Sequence, residues 1–176
     1  MFAAVGGIET AIYKVLFLLH LLAVIVGFGS SFVWPVLGAQ ARKLGPGEAS
    51  LALSRTALST SKMLTTVSIY LAALFGILLV VVSGDAWKFS QTWISVAFGL
   101  FIVGAVLGYL LTANNKKMVD LQERLVSGAA KGGPDGPPPE VAELQALGGR
   151  SAMFGGLAHL VFLLLMLDMI WKPGLG

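Results

Sequence analysis

Two histidines are the residues of this sequence whose type and position are best suited to chemistry. His20 lies inside LFLLHLLAVIVGFGSSFVWP, residues 16–35, and His159 lies inside AMFGGLAHLVFLLLML, residues 152–167. An imidazole can ligate a metal through a ring nitrogen or carry a proton near neutral pH. Because ionisable groups are costly inside apolar helices, those found there are candidates for function. Both histidines are therefore predicted cofactor-binding residues.

The composition indicates the environment in which these histidines act. The chain has 176 residues, of which 56% are hydrophobic and 12% are charged, whereas soluble domains carry about 25% charged residues. The sequence therefore predicts an integral membrane protein surrounded by the lipid bilayer. It contains no cysteine, which excludes disulfides and thiolate metal sites. Its basic residues flank apolar runs, so a nucleic-acid partner is not indicated.

Four apolar runs are long enough to cross a bilayer as helices. They predict an all-α fold, a four-transmembrane-helix bundle forming one membrane domain over residues 1–176. The predicted spans cover approximately residues 12–36, 64–83, 92–112 and 151–171. The first helix either ends at Pro35 or continues past it with a kink. Glu140 to Leu147 predict an amphipathic turn that leads through Gly148-Gly149 to the fourth span. The sequence GGPDGPPPE predicts a flexible cytoplasmic loop at approximately residues 128–140.

Charge placement predicts how the bundle is oriented. The two long connections hold nine of the twelve Lys and Arg residues, and basic loops stay in the cytoplasm. We therefore expect a multi-pass membrane protein with both termini outside the cytoplasm. The nine bases are Arg42, Lys43, Arg55, Lys62, Lys116, Lys117, Arg124, Lys131 and Arg150.

Helical periodicity predicts that both histidines point into the bundle. Steps of three and four residues place His20 on a stripe of small, polar and aromatic residues, while the opposite face is aliphatic and suits lipid. The stripe consists of Tyr13, Phe17, His20, Val24, Gly27, Ser31, Trp34 and Gly38. Two inward histidines favour a haem held between two imidazoles. However, counting residues places His20 ~9 Å and His159 ~18 Å below the outer boundary. The alternative is that each histidine forms one interhelical hydrogen bond.

Two further features have structural interpretations. Asp168 lies nine residues after His159, on the opposite helix face, where it is predicted to pair with Lys172 or Lys14. A metal site that combines Asp168 with the histidines is excluded by that geometry, and no metal site is predicted. In the third span, Ala97, Gly104 and Gly108 share a stripe whose small-xxx-small spacing favours close helix packing, either within the chain or in a homodimer.

The pattern LLHLLAVIVGFG, the four-span layout and the ending MIWKPG resemble a family of bacterial predicted integral membrane proteins of uncharacterised function. This resemblance implies a location in the bacterial inner (plasma) membrane. More distantly, the chain is similar to membrane protoporphyrinogen oxidases and copper-resistance membrane domains, which share a histidine in the first span. That similarity implies a haem-linked or metal-linked role for His20. The oxidases also rely on a basic residue in a later span, which Thr92 to Thr112 lack, and the six methionines form no ligand ladder. Neither oxidase activity nor metal transport is therefore expected.

Two functions follow from the sequence. The first is binding or processing of haem or a porphyrin through His20, with His159 as a second ligand. The second is a non-catalytic accessory or structural subunit of a larger membrane complex, which would use the glycine stripe and the aliphatic faces as contact surfaces. The sequence leaves open whether the protein is an enzyme, and whether it forms a homo-oligomer.

Overall fold

The regular structure of the chain is helical. The computed structural model describes residues 7–45, 47–128, 136 and 138–174, and the residues outside these ranges include the N-terminal six and most of the predicted loop. The elements are α1 (Ala11–Ser31), α2 (Val33–Lys43), α3 (Glu48–Ser61), a π-helical turn (Lys62–Thr66), α4 (Val67–Val81), α5 (Thr92–Val126) and α6 (Pro139–Trp171). The predicted all-α class is confirmed.

These elements form four long rods, each long and apolar enough to cross a membrane. The rods are Ala11–Lys43, Glu48–Val81, Thr92–Val126 and Pro139–Trp171. Large aliphatic side chains cover their outer faces; Ile25, Val81, Ile102 and Ile170 are each more than 60% exposed. Such a surface is unfavourable in water and suits hydrocarbon. The four-helix prediction is therefore confirmed.

The first rod continues past Pro35, as one of the two predicted alternatives had it. Thr10 caps α1 through its side-chain oxygen, which accepts from the backbone N–H of Tyr13 at 3.3 Å. The break comes at Phe32, between α1 and α2. Pro35 then lies in the first turn of α2, where its missing N–H costs no intrahelical hydrogen bond.

The second rod contains the π-helical turn, which joins the amphipathic α3 to the apolar α4 without a loop. A π-turn accommodates one extra residue within a helix and is often found at functional positions. Here it carries Thr65, whose Oγ1 lies 2.8 Å from Ser30 Oγ and accepts from Trp34 Nε1 at 2.7 Å. The turn is therefore bonded to the first rod on the inner side of the bundle.

The fourth rod runs uninterrupted through Gly148-Gly149, so the predicted amphipathic turn and the fourth span form one helix. Its neighbour α5 supports the helix at this point. Asn114 Nδ2 donates to the carbonyl oxygen of Leu147 at 2.8 Å and to Ser151 Oγ at 2.7 Å, so it clamps the helix on both sides of the two glycines. Tertiary contacts here outweigh the low helix propensity of glycine.

Helices α1 and α4 form one close pair, and α5 and α6 form the other. A Cβ at Gly27 would lie 3.2 Å from the backbone nitrogen of Ile69, and one at Gly104 would lie 3.5 Å from Val161 Cγ1. Glycine thus permits close approach within each pair, as the packing interpretation of Gly104 predicts. The space between the two pairs contains the candidate site.

Candidate functional site

His20 is a buried side chain with one ring nitrogen bonded and the other available. Its residue is 7% exposed, and Nδ1 lies 2.8 Å from the carbonyl oxygen of Ala72 on α4. Because a carbonyl oxygen can only accept, Nδ1 carries the proton. In the neutral ring Nε2 therefore holds a lone pair, and among the described residues it makes no hydrogen bond. This is the arrangement in which histidines ligate metals, with the second nitrogen fixed by a backbone carbonyl.

Gly76 provides the space for the His20 ring. A Cβ at this position would lie 3.3 Å from His20 Cε1 and 3.5 Å from its Nδ1. Gly76 stands four residues after Ala72 on α4, so the two residues share one helix face. The face of α4 that holds the imidazole thus offers a carbonyl acceptor at one turn and an open position at the next.

A cavity of about 130 Å³ lies beside His20, between the two helix pairs. Its walls are apolar except for His20 and the indole of Trp93. The aromatic and sulfur-containing residues among them are Phe28, Trp93, Phe98, Phe101, Phe162, Met166 and Met169. Ile77 and Phe98 line the cavity and are also 38% and 36% exposed. The cavity therefore borders the lipid-facing surface.

Trp93 is the second polar group of the cavity wall. The residue is 9% exposed, and its Nε1 has no hydrogen-bond acceptor among the described residues. Its ring meets Trp87 edge to face at 5.5 Å, and Lys172 Nζ lies 4.1 Å from the Trp87 ring and 5.6 Å from the Trp93 ring. Trp87 in turn donates to the hydroxyl of Tyr13 at 2.9 Å. Trp93 is thus held firmly with an unpaired donor.

His159 has both ring nitrogens occupied. Nδ1 lies 2.7 Å from the carbonyl oxygen of Gly155, and Nε2 lies 3.0 Å from Ser31 Oγ. The rings of Phe28 and Phe32 pack against it, with centroids at 6.2 and 4.6 Å. The predicted alternative was that each histidine forms one interhelical hydrogen bond. Such a bond is present in both cases, from His159 to Ser31 and from His20 to Ala72.

The structure does not bring the two histidines together. His159 faces Ser31, which follows His20 by eleven residues on the same helix α1. At 1.5 Å per residue the two imidazoles differ in depth by ~16 Å. The sequence anticipated a difference, but a smaller one of ~9 Å, because it lacked the register between α1 and α6.

The predicted pairing of Asp168 with Lys172 or Lys14 is wrong. Asp168 is 7% exposed, and neither carboxylate oxygen has a hydrogen-bond partner among the described residues. Lys172 ends α6 in a left-handed conformation with φ 44°. Its ammonium lies over the tryptophan rings, and Lys14 pairs instead with Glu9 at 3.0 Å.

Comparison with known proteins gives one match. The model of a family described as "Predicted integral membrane protein (DUF2269)" matches residues 14–173. The chain belongs to this family. It is therefore an integral membrane protein, and the bilayer is its environment, as the composition predicted. No curated protein and no solved structure matches this chain.

The match of this DUF2269 member spans the whole candidate site, from His20 to Asp168. The chemistry available there is a free imidazole lone pair, one indole donor and an apolar cavity. Among the described residues no group of three or more His, Asp or Glu side chains could hold a metal ion.

Trp93 lines the cavity but is not among the residues that the sequence singled out. A signal was present, since Ala97 and Phe101 follow it at helical spacing and line the same cavity. Extending the predicted stripe of Ala97 and Gly104 by one turn toward the N terminus reaches Trp93.

Proposed function

We propose that this integral membrane protein binds a hydrophobic ligand inside its helix bundle, anchored on Nε2 of His20. One observation carries the proposal. A buried histidine in an apolar wall has its tautomer fixed by the Ala72 carbonyl, and its second nitrogen is unpaired beside a cavity. A ligand that bonds to Nε2 would give this nitrogen the partner that the apolar wall does not supply.

Haem or a porphyrin is the ligand class that the sequence resemblance suggests. The tautomer of His20 fits an axial ligand, because Nε2 is free and Nδ1 is fixed. His159 offers no matching second ligand, since its nitrogens are bonded to Gly155 and Ser31. The cavity of about 130 Å³ is also smaller than the several hundred Å³ that a ligand of that size occupies. His20 Nε2 is therefore a suitable ligand atom for haem, but the cavity is too small to hold haem.

Haem reconstitution separates the ligand classes. Absorption spectra of the purified protein and of His20→Ala would be compared after haem addition, with His159→Ala as the matched control. A Soret band that requires His20 and tolerates His159→Ala would establish haem binding through His20 alone. Absence of the band in the wild type would exclude haem and leave smaller ligands.

A second experiment tests ligand binding without assuming the ligand. Ala97 lines the cavity, whereas the neighbouring Val96 lies outside it and is 41% exposed. Native mass spectrometry of protein released from its own membrane should show a bound small molecule. We expect Ala97→Phe to lose that adduct and Val96→Phe to retain it. A wild-type protein that carries no adduct, and that binds neither haem nor a small apolar ring when these are added, contradicts the proposal.

An accessory subunit of a larger membrane complex is the second candidate function. Gly104 packs against Val161 and Phe162 within the chain, whereas a Cβ at Gly108 would meet no atom within 4 Å. Gly108, with its exposed neighbour Tyr109, is therefore the part of α5 left open to a partner or to a second copy. Stoichiometric copurification of other membrane proteins, lost in Gly108→Leu and kept in Gly29→Leu, would support this function.

We also propose that both termini lie outside the cytoplasm, in a bacterial inner membrane. The charged ends of α3, α5 and α6 support this, because they gather the ion pairs Arg55–Glu123 and Lys117–Glu143 at one end of the bundle. Since the chain lacks cysteine, single cysteines at Asp85 and Arg55 can be labelled with an impermeant maleimide in intact cells. Labelling of Asp85→Cys alone supports the orientation, and labelling of Arg55→Cys alone reverses it.

A further inference from the structure

The size of the cavity limits the ligand to a single ring. Its volume is about 130 Å³, and an engineered apolar cavity of about 150 Å³ in another protein stays dry and binds benzene. A buried water typically makes about three hydrogen bonds, so two polar side chains give water a poorer site than it usually occupies. The walls offer two polar side chains, His20 and Trp93, among eighteen lining residues.

Those two groups are complementary in hydrogen bonding. His20 Nε2 is an acceptor, because the proton of the ring is on Nδ1. The indole Nε1–H of Trp93 is a donor and can be nothing else. The two residues are 7% and 9% exposed. In the described part of the chain Trp93 Nε1 is buried without a partner, and the hydrogen bond of the His20 ring is made by Nδ1 and not by Nε2. A ligand that satisfies both must donate at one position and accept at another.

The register of the helices brings the two groups to nearly the same depth. Ser31 of α1 faces His159 of α6, and these helices run in opposite directions. His20 lies eleven residues before Ser31 on α1, and Ile170 lies eleven residues after His159 on α6. His20 and Ile170 are therefore at the same depth in the bundle. On α5, Gly104 packs against Val161, so Trp93 is level with Lys172, whose ammonium lies 5.6 Å from its ring centroid. Ile170 and Lys172 are two helical residues apart, so His20 and Trp93 differ in depth by ~3 Å.

We infer that the cavity binds the ring of a quinol, a six-membered aromatic ring with hydroxyl oxygens at opposite ends. One hydroxyl donates to His20 Nε2, and the opposite oxygen accepts from Trp93 Nε1–H. The inference rests on the proposed function and names the class of its ligand. The aromatic and methionine side chains of the wall suit the ring faces.

The reduced form of the ligand is the one that this site favours. A quinone has acceptor oxygens only, so it can accept from Trp93 but cannot bond to the lone pair of His20 Nε2. The exposed edges of Ile77 and Phe98 give a ring substituent a way out of the cavity into lipid. A lipid-soluble quinol carrying an apolar tail would therefore fit both the polar pair and the opening.

Two probes of the same shape test the inference. 1,4-Benzoquinol and p-xylene differ in that methyl groups replace the hydroxyls, so p-xylene measures ring binding without hydrogen bonds. Each would be titrated anaerobically by calorimetry into the full-length protein in nanodiscs, with empty nanodiscs as the blank. The variants are His20→Phe and Trp93→Phe, with His159→Phe as the matched control.

We expect each site variant to weaken quinol binding about tenfold, the effect of losing one hydrogen bond to a buried group. Binding of p-xylene should change by less than about twofold in the same variants, and His159→Phe should change neither probe. His20→Phe and Trp93→Phe each test the inference independently. If one variant folds poorly, the other still provides the test. Ala97→Phe should abolish binding of both probes.

Equal quinol affinity in the wild type, His20→Phe and Trp93→Phe would overturn the inference. A His20-dependent Soret band together with absence of quinol binding would also overturn it, while leaving the proposed function intact. Absence of binding for haem, quinol and p-xylene alike would overturn both.

Discussion

The surroundings of the two histidines differ more than their similar sequence settings suggest. His159 is bonded at both nitrogens, to Gly155 of its own helix and to Ser31 of α1. His20 is bonded at one nitrogen, to Ala72, and lies beside a cavity with the other free. Both are histidines in apolar helices, and a general rule would treat both as functional. Whether the second ring nitrogen is bonded therefore distinguishes a histidine that only joins helices from one that is available to a ligand.

The largest predicted effect concerns Gly27, which lies on α1 between His20 and Ser31, the partner of His159. A Cβ at Gly27 would lie 3.1–3.2 Å from atoms of Ile69 and Ser68, including a backbone nitrogen. Gly27→Leu should therefore separate α1 from α4 and disrupt the surroundings of both histidines. We expect the free energy of unfolding to fall by roughly 3 kcal/mol or more. Unfolding in detergent, followed by circular dichroism, measures this.

Gly29→Leu is the matched control for that prediction, because nothing lies within 4 Å of a Cβ there. It should unfold like the wild type. If the two leucine variants were equally stable, the close contact between α1 and α4 would be of no consequence for either histidine.

Replacing His159 should lower the stability of the protein more than replacing His20 does. Replacing His20 should have the larger effect on ligand affinity. His159→Leu removes two hydrogen bonds and should cost about 1–2 kcal/mol, since a membrane hydrogen bond averages ~0.6 kcal/mol with a maximum near 1.7. His20→Leu removes one bond and gains apolar contact, so its cost should stay at about 0.6 kcal/mol or below. Denaturant titration of both variants, paired with ligand titrations, checks the contrast. A larger stability loss in His20→Leu would mean that the Ala72 bond is a structural link of the same kind as Ser31–His159.

Gly76→Ala should reduce ligand affinity while leaving stability nearly unchanged. The new Cβ would lie 3.3 Å from His20 Cε1 and would displace the ring by a few tenths of an ångström. Replacing a helical glycine by alanine gains roughly 0.5–1 kcal/mol, which offsets the strain. We expect a decrease in ligand affinity of about threefold to fivefold, roughly half of one hydrogen bond. Unchanged affinity would show that the position of the imidazole ring is not critical.

The smallest predicted effect is that of the bond between Ser31 and His159. Ser31→Ala should cost about 0.6 kcal/mol, measured by the same denaturant titration. A double-mutant cycle with His159→Phe should return a coupling energy of that size. A coupling energy near zero would leave His159 held by Gly155 and by packing against Phe28 and Phe32 alone.

The sequence was sufficient to predict the membrane class, the four helices and the inward position of His20. These follow from hydropathy, length and periodicity, which are local properties. The structure buries His20, Gly27 and Ser31 of the predicted stripe, although Phe17 is 46% exposed. A stripe predicts which face points inward, but the depth of burial depends on where the neighbouring helices lie.

The features that depend on register could not be predicted. The partner of His159 is set by how α6 slides along α1, and no sequence pattern fixes that offset. Lys172, an expected partner of Asp168, places its ammonium over the rings of Trp87 and Trp93 instead. The contacts of Asn114 with α6 at Leu147 and Ser151 are likewise set by the register between α5 and α6. Trp93 could have been placed from its spacing to Ala97, but its unpaired Nε1 is visible only in three dimensions.

The π-helical turn at Lys62–Thr66 has a consequence for how the chain tolerates change in length. Each residue rotates an α-helix by about 100°, and the turn absorbs one residue beyond regular α-helical winding. Deleting a single residue between Lys62 and Thr66 would let the rod wind as one regular α-helix and keep both flanking faces in place. The same deletion inside α4 would turn Ala72 and Gly76 away from His20. The π-helical turn can thus lose one residue while the helix faces on either side of it stay aligned. In the adjacent α4, the loss of one residue would destroy that alignment.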